Sequence, residues 1–296
     1  MEKFFLMHLN RKKIKQSKFR ISPTISKKKK IKKTKKRDIN KTLDVNKKNV
    51  KHKRSKRKNS RVKITTAISN ANSLSKKKFN NKLIYKPMSK WKNILKGHVI
   101  FILGNAPSIS KQNLNLLDPY FTIGVNRIYY AYTPTILLWQ DIQMWNNERK
   151  NIIKQKSLKV SSKSGDPRKI FLNFSVRVGN FKFGKDPSTL CGRGNTTALA
   201  CQLAISLGCS DIVLLGTDCK YGVKGKTDFY GKNEDHKSYT LKMCKNSMSW
   251  LKDNCPVPIY NCSKNKLWSE EKLPNVIKKL NPKKMSMKKY LNMFKK

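Results

Sequence analysis

An α/β domain with a mostly parallel sheet and helices on both faces, preceded by a disordered basic tail, is the fold class this sequence predicts. Three observations predict it. Short continuous apolar runs that stop at Gly, Asn or Gln-Asp recur between residues 98 and 260, which is how strands buried on both faces read. Longer segments of helical character separate several of these runs, and alternation of strand and helix implies right-handed crossovers into a parallel sheet. Composition also changes abruptly. Residues 1–96 carry 35 Lys and Arg against the three acids Glu2, Asp38 and Asp44, so this third of the chain holds more than half of the formal net charge of +52.

Taken in order, His98-Val-Ile-Phe-Ile-Leu103 is the first strand and ends at Gly104. A short helix is expected over Lys111 to Leu117. Phe121-Thr-Ile-Gly-Val125 is the second strand, ending at Asn126, and Thr135-Ile-Leu-Leu-Trp139 the third, ending at Gln140-Asp141. Ile142 to Gln155 reads as helix and Lys169 to Phe174 as the fourth strand. Residues 175–194, with four glycines and a proline, read as irregular. Thr196 to Leu207 is a helix of small and apolar residues closed by Gly208. Asp211-Ile-Val-Leu-Leu215 is the fifth strand, followed by a polar loop to about Asp235. His236 to Asp253 is an amphipathic helix, and Pro258-Ile-Tyr260 the last strand. The arrangement is Rossmann-like, and in such sheets ligands sit beyond the carboxyl ends of the strands. The expected division is a Lys-rich tail over 1–90, a nucleotide-binding transferase domain over 91–277 and a basic C-terminal tail over 278–296.

The first third has its apolar residues scattered singly among lysines, as in Lys27 to Lys36 and Lys51 to Lys58, so it cannot offset the entropy of ordering. Its charge suits a polyanion such as nucleic acid or an anionic surface. An AT-rich coding bias toward Lys, Asn and Ile explains the same composition without a function. No apolar run approaches the length of a signal-peptide core or a membrane span. The seven cysteines are odd in number and none has CxxC spacing. Reduced, partly buried thiols and a cytoplasmic location are therefore expected.

Three constellations could carry chemistry. In Gly104-Asn-Ala-Pro-Ser108, Gly104 permits a sharp turn and close approach to a ligand, Asn105 can bond a ribose or base, and Ser108 can help hold an anion. An ordinary strand–turn–helix with Ser108 as a cap fits the same residues. The loop is not GxGxxG, and no acid ends the second strand, which disfavours NAD and FAD. Cys191-Gly-Arg-Gly-Asn-Thr-Thr197 runs into a helix, with Asn195 or Thr196 as cap and Arg193 as a fixed cation; a satisfied cap on a flexible loop is the plainer alternative. Gly216-Thr-Asp-Cys-Lys-Tyr221 is followed by Asp228-Phe-Tyr-Gly231 and His236. Of the four histidines, His236 is the one in a loop expected near the strand ends, where it could serve as a general base or simply open an exposed helix. Asp218, Asp228, Glu234 and Asp235 form no compact metal motif.

In this order the pieces resemble a known group. Gly-Asn-Ala-Pro-Ser at 104–108, Val-Asn-Arg at 125–127, Arg193 with Asn-Thr-Thr at 195–197, Leu-Gly-Thr-Asp at 215–218 and His236 are similar to the bacterial lipooligosaccharide sialyltransferases. They are equally similar to a wider Rossmann-like group, common in phages, that includes hydroxymethylpterin pyrophosphokinases. The resemblance covers roughly residues 97–275. It implies a CMP-sialic acid type of donor, no metal ion or other cofactor, and a hydroxyl acceptor. It further implies donor contacts from Asn105 and Ser108 with Asn126 nearby, a hydroxyl contact from Thr196, and Arg193 in the active site. Tyr221 and Tyr230 would stabilise the leaving phosphate and His236 would deprotonate the acceptor. Ala106 departs from the glycine usual in the first motif, and the lid that recognises sialic acid has no counterpart.

A metal-independent glycosyltransferase using a nucleotide-sugar is thus the expected function, with Gly104, Asn105, Ser108, Asn126, Asn195, Thr196 and Asp218 around the nucleotide. A pterin pyrophosphokinase-like enzyme is the alternative; it would need ATP and Mg²⁺, with Asp141 and Asp218 outweighing His236. A binder of nucleic acid or another polyanion, or a nucleic-acid-modifying transferase held by the tail, completes the range.

Overall fold

A computed structural model of the chain describes residues 84–177, 183–184, 186–192, 194–231 and 238–296. The Lys-rich segment before residue 84, Arg193 and His236 lie outside the described residues.

The elements are β1 (Val99–Leu103), β2 (Phe121–Val125), β3 (Ile136–Trp139), α1 (Ile142–Lys154), β4 (Leu158–Ser162), β5 (Leu172–Arg177) and β6 (Thr189–Cys191). They continue with α2 (Thr196–Ser206), β7 (Asp211–Leu215), α3 (Ser238–Asn254), β8 (Ile259–Asn261), α4 (Leu273–Leu280) and α5 (Met287–Met293). The strands form one sheet in the order β6-β5-β4-β3-β2-β1-β7-β8, with every pairing parallel. The expected α/β, Rossmann-like class is the observed one.

Pleating divides the strand side chains between two cores. Ile100, Ile102, Ile123, Leu138, Ile212 and Leu214 face α2 together with Met248 and Leu251 of α3 and Tyr290 of α5. Phe101, Leu103, Leu137, Trp139, Val213 and Leu215 face Met144, Trp145 and Ile152 of α1 and Val276 of α4. Because β1, β2, β3 and β7 are covered on both sides, continuous apolar runs suffice to specify them.

Four expectations need correction. The helix expected over Lys111 to Leu117 is instead two 3₁₀ turns, Pro107–Lys111 and Leu114–Leu117. The extended Gln112 and Asn113 separate them and keep the connection too short for an α-helix. Residues 158–162, assigned to no element from the sequence, form a buried strand, although Lys159, Ser161 and Ser162 spoil its apolar pattern. The expected fourth strand starts at Leu172 rather than Lys169, and the stretch expected to be irregular contains the end of β5 and all of β6. Finally, residues 278–296 are not a tail. Tyr290 and Phe294 are buried, Phe294 stacks against Phe121, and the backbone N–H of Lys86 donates to the carbonyl of Phe294. The folded region therefore includes residues on both sides of the expected 91–277 boundaries.

Candidate nucleotide site

The chain moves outward from β1 through β2 to β6 in one direction, then returns to place β7 on the other side of β1. That reversal opens a crevice where the loops after β1 and β7 diverge. The two loops begin in close contact. The backbone N–H of Ala106 donates to the carbonyl oxygen of Gly216 at 2.9 Å, and a Cβ on residue 104 would fall 2.2 Å from that oxygen. Gly104 is thus required by close approach of backbone to backbone, and Gly216, at φ 62°, by its left-handed turn.

A cavity of about 470 Å³ lies at this point. It is lined by Asn105 and Asn126 from the ends of β1 and β2, Asn195 and Thr196 at the start of α2, Asp218 after β7, and Tyr230. The structure therefore brings six of the expected site residues to one place. Gly104 lies beneath them, while Ser108 and Tyr221 are outside the lining and Tyr221 is 46% exposed.

The polar groups fall into two kinds. Some are fully engaged within the protein. Asp218 accepts from the Ser108 backbone N–H at 3.1 Å, the Ser108 hydroxyl at 2.5 Å and the Lys264 backbone N–H at 3.0 Å. Asn195 caps α2, its Oδ1 accepting from Thr197 N at 2.9 Å and Ala198 N at 3.4 Å. Others point to a missing partner. Asn105 donates its amide to the carbonyl of Val125 at 3.0 Å, which fixes the side chain and leaves Asn105 Oδ1 buried without a hydrogen bond. Asn126 Oδ1 is buried and unpartnered as well, on a residue held at φ 51°. Buried acceptors of this kind are rare because each costs about 1–3 kcal/mol when unmade.

Asp141, Asp218 and Asp228 also line the cavity. Among the described residues, however, no group of three His, Cys, Asp or Glu side chains is placed to hold a metal ion. Asp218, with three donors already on its carboxylate, does not fit the Mg²⁺ ligand that the pyrophosphokinase alternative asks of it.

Several cavity features were not assigned from sequence. In the sequence Arg127 is visible only as the third residue of Val-Asn-Arg at 125–127. It lines the cavity beside Tyr230 and is ion-paired with Glu148 at 2.8 Å; its position directly after the strand-end Asn126 was the available signal. Cys219 and Cys244 face each other in the wall with sulfurs 3.1 Å apart, both free. Their 25-residue separation hid the pair. Among the described residues no helix is long and apolar enough to cross a membrane.

No family model matches the chain, and no curated protein sequence matches it significantly. Solved structures match parts of the chain, the following three at TM-scores below 0.5. The MAf glycosyltransferase of Magnetospirillum magneticum AMB-1 is 12% identical with a TM-score of 0.44, over 74% of this chain and 42% of that one. The sialyltransferase CstII of Campylobacter jejuni with cytidine-5′-monophosphate is 13% identical with a TM-score of 0.37, over 57% and 82% of the two chains. The CST-II complex with a trisaccharide acceptor and CMP is 14% identical with a TM-score of 0.33, over 55% and 80%. The chain thus matches less than half the length of the MAf enzyme.

Proposed function

We propose that this domain binds a nucleotide-sugar, with a CMP-sugar as the first donor to test, and transfers its sugar to a hydroxyl acceptor without a metal ion. The observation that carries the reading is the pair of buried, unpartnered oxygens, Asn105 Oδ1 and Asn126 Oδ1, in the wall of one cavity. An amide oxygen only accepts, so each calls for an N–H or O–H on the ligand. Ribose hydroxyls and the exocyclic amine of a base supply such donors, and the cavity lies where doubly wound sheets take nucleotides.

The sequence resemblance supplies the chemical roles. In this mechanism His236 takes the proton of the acceptor hydroxyl, whose oxygen attacks the anomeric carbon as the bond from that carbon to the phosphate oxygen breaks. The departing nucleotide carries away the bonding electrons, and Arg193 and the hydroxyl of Tyr230 offset its charge; Tyr221, the other tyrosine that the resemblance offers, lies outside the cavity lining. Thr196 adds a hydroxyl at the head of α2.

The test is calorimetric titration of the protein with CMP, CDP, UMP, UDP, GDP and ATP, with and without Mg²⁺, followed by donor hydrolysis with the best nucleotide-sugar. Saturable binding of a nucleotide without Mg²⁺, and loss of hydrolysis by about 10²- to 10⁴-fold in His236→Ala, is the expected result. A protein that binds none of these nucleotides, or a His236→Ala variant with full rate, overturns the reading.

A further inference from the structure

Beside the two orphaned amide oxygens lies a cation whose orientation is set by a dedicated partner. Arg127 follows Asn126 directly and lines the same cavity. Its Nε–H donates to Glu148 Oε1 at 2.8 Å, and its guanidinium carbon lies 5.6 Å from the centroid of the Tyr230 ring. Glu148, on α1, is held in turn. Its Oε2 accepts from Tyr129 OH at 2.8 Å, Tyr130 OH at 2.7 Å and Asn151 Nδ2 at 3.0 Å. One buried carboxylate therefore anchors the edge of the guanidinium while three neutral donors fix the carboxylate. This arrangement orients the arginine: its Nε–H is committed to Glu148 and Tyr230 takes a further hydrogen bond from it, while the fork of five N–H donors keeps others for a ligand.

The rest of the cavity wall makes that cation necessary for an anionic ligand. Asp141, Asp218 and Asp228 all line it, and among the described residues Arg127 and the exposed Lys220 are the lining cations. A phosphate or carboxylate entering a partly desolvated space beside three acids needs a local counter-charge, and a planar guanidinium matches either group with two parallel hydrogen bonds.

We propose that Arg127, positioned by Glu148, is the oxyanion-binding residue of this cavity, and that it holds either the phosphate of the nucleotide or the carboxylate of an acidic donor sugar while Asn105 and Asn126 hold the nucleoside. The inference rests on the nucleotide-sugar reading above and assigns that site a residue and a ligand charge that the reading does not contain.

The experiment compares the parent chain with Arg127→Gln, Arg127→Lys and Glu148→Gln by titration with cytidine, CMP and CMP-sialic acid. Cytidine, which carries neither oxyanion, reports both fold and nucleoside pocket. Arg127→Gln is expected to keep its cytidine affinity and to lose about 10- to 100-fold in one of two increments, a size typical of a charged hydrogen-bonded contact. Loss between cytidine and CMP assigns the arginine to the phosphate; loss only between CMP and CMP-sialic acid assigns it to the sugar carboxylate. Arg127→Lys, a charge without the fork, should recover part of the increment, and Glu148→Gln should lose part of it at unchanged cytidine affinity. If Arg127→Gln keeps both increments at full size, or loses cytidine affinity in equal measure, the proposal is wrong while the nucleotide reading stands. If the parent chain prefers another nucleotide of the set above, the same increments are measured with that nucleoside, its phosphate and its sugar; a parent chain that binds none of the set removes both. Should cytidine binding fail because Arg127→Gln does not fold, the increments of Arg127→Lys and Glu148→Gln decide, and unchanged increments in both overturn the proposal.

Discussion

Ser108 and Asp218, 110 residues apart in sequence, meet across the switch point through two hydrogen bonds, at 3.1 Å from the Ser108 backbone N–H and 2.5 Å from its hydroxyl. With the N–H of Lys264 at 3.0 Å on the same carboxylate, Asp218 ties together the loops after β1, β7 and β8. Ser108→Ala should therefore lower stability by about 1–3 kcal/mol, because one donor to a buried charge is lost. Asp218→Ala should cost more, leaving the buried Ser108 N–H and the partly buried Lys264 N–H without acceptors, and the double mutant should be clearly less than additive. Urea unfolding of the three variants checks this. Full stability in Asp218→Ala would show that the carboxylate does not hold these loops together.

Asn126→Gly should separate binding from folding. Residue 126 sits at φ 51°, a region glycine enters without the penalty other residues meet. Removing the side chain also removes a buried acceptor that lacks a partner in the protein. The variant should unfold at an unchanged or slightly higher denaturant concentration, yet bind CMP about tenfold or more weakly. Undiminished CMP binding would take Asn126 out of the site.

Lys159 and Glu148 should bend the pH dependence of stability at opposite ends. Burial pushes the Lys159 ammonium down to about 8, against ~10.4 in an unfolded chain. Between those values the unfolded chain holds the extra proton, so this residue makes stability rise as pH climbs from about 8 toward ~10.4. Lys159→Met should remove that rise, measured as the difference in urea midpoint between parent and variant across the interval. Burial also raises the Glu148 carboxyl, but hydrogen bonds from Asn151, Tyr130, Arg127 and Tyr129 outweigh it and bring the group down to about 2. Its contribution is complete above the unfolded value of ~4.3 and fades as pH falls toward 2. Glu148→Gln should flatten that acid limb; an unchanged limb would assign it to other carboxylates.

Phe294→Ala should destabilise by about 3–5 kcal/mol, the usual cost of emptying a buried aromatic site. The ring is fully buried, lies edge-on to Trp91 at 4.7 Å and stacks on Phe121 at 5.8 Å. Denaturant unfolding measures it, and a loss under about 1 kcal/mol would place Phe294 outside the working core.

How much of this was legible beforehand follows from which physical signals stay local. Strands β1, β2, β3 and β7 are buried on both faces, so their sequences are unbroken apolar runs and announce themselves. Strand β4 is equally buried, but Lys159, Ser161 and Ser162 interrupt its apolar pattern, and the partner that lets Ser162 be buried, the Gln140 carbonyl accepting from its hydroxyl, lies 22 residues away. Its composition therefore looks like loop. The C-terminal segment hid for a related reason, since Tyr290 and Phe294 carry the apolar stripe at a spacing of four among lysines that dominate any compositional reading. At the site, Asn105, Asn126 and Asp218 were legible because strand ends in parallel sheets are where ligands sit. The Arg127–Glu148 pair was not, because it is made only when the crossover through α1 lays Glu148 against the end of β2. Arg193 and His236 lie outside the described residues and stand as sequence expectations.

The contact between Trp91 and Phe294 also bears on how the protein is born. A ribosome releases the chain from its N-terminal side at about 5–20 residues per second. Trp91, Phe121 and the central strands leave it long before residue 294. Until α5 emerges, Trp91 and Phe121 lack the two rings, Tyr290 and Phe294, that pack on them. Nascent chains halted before α5 should accordingly present Trp91 and Phe121 to chaperones, and the arrival of α5 times the closing of this part of the core.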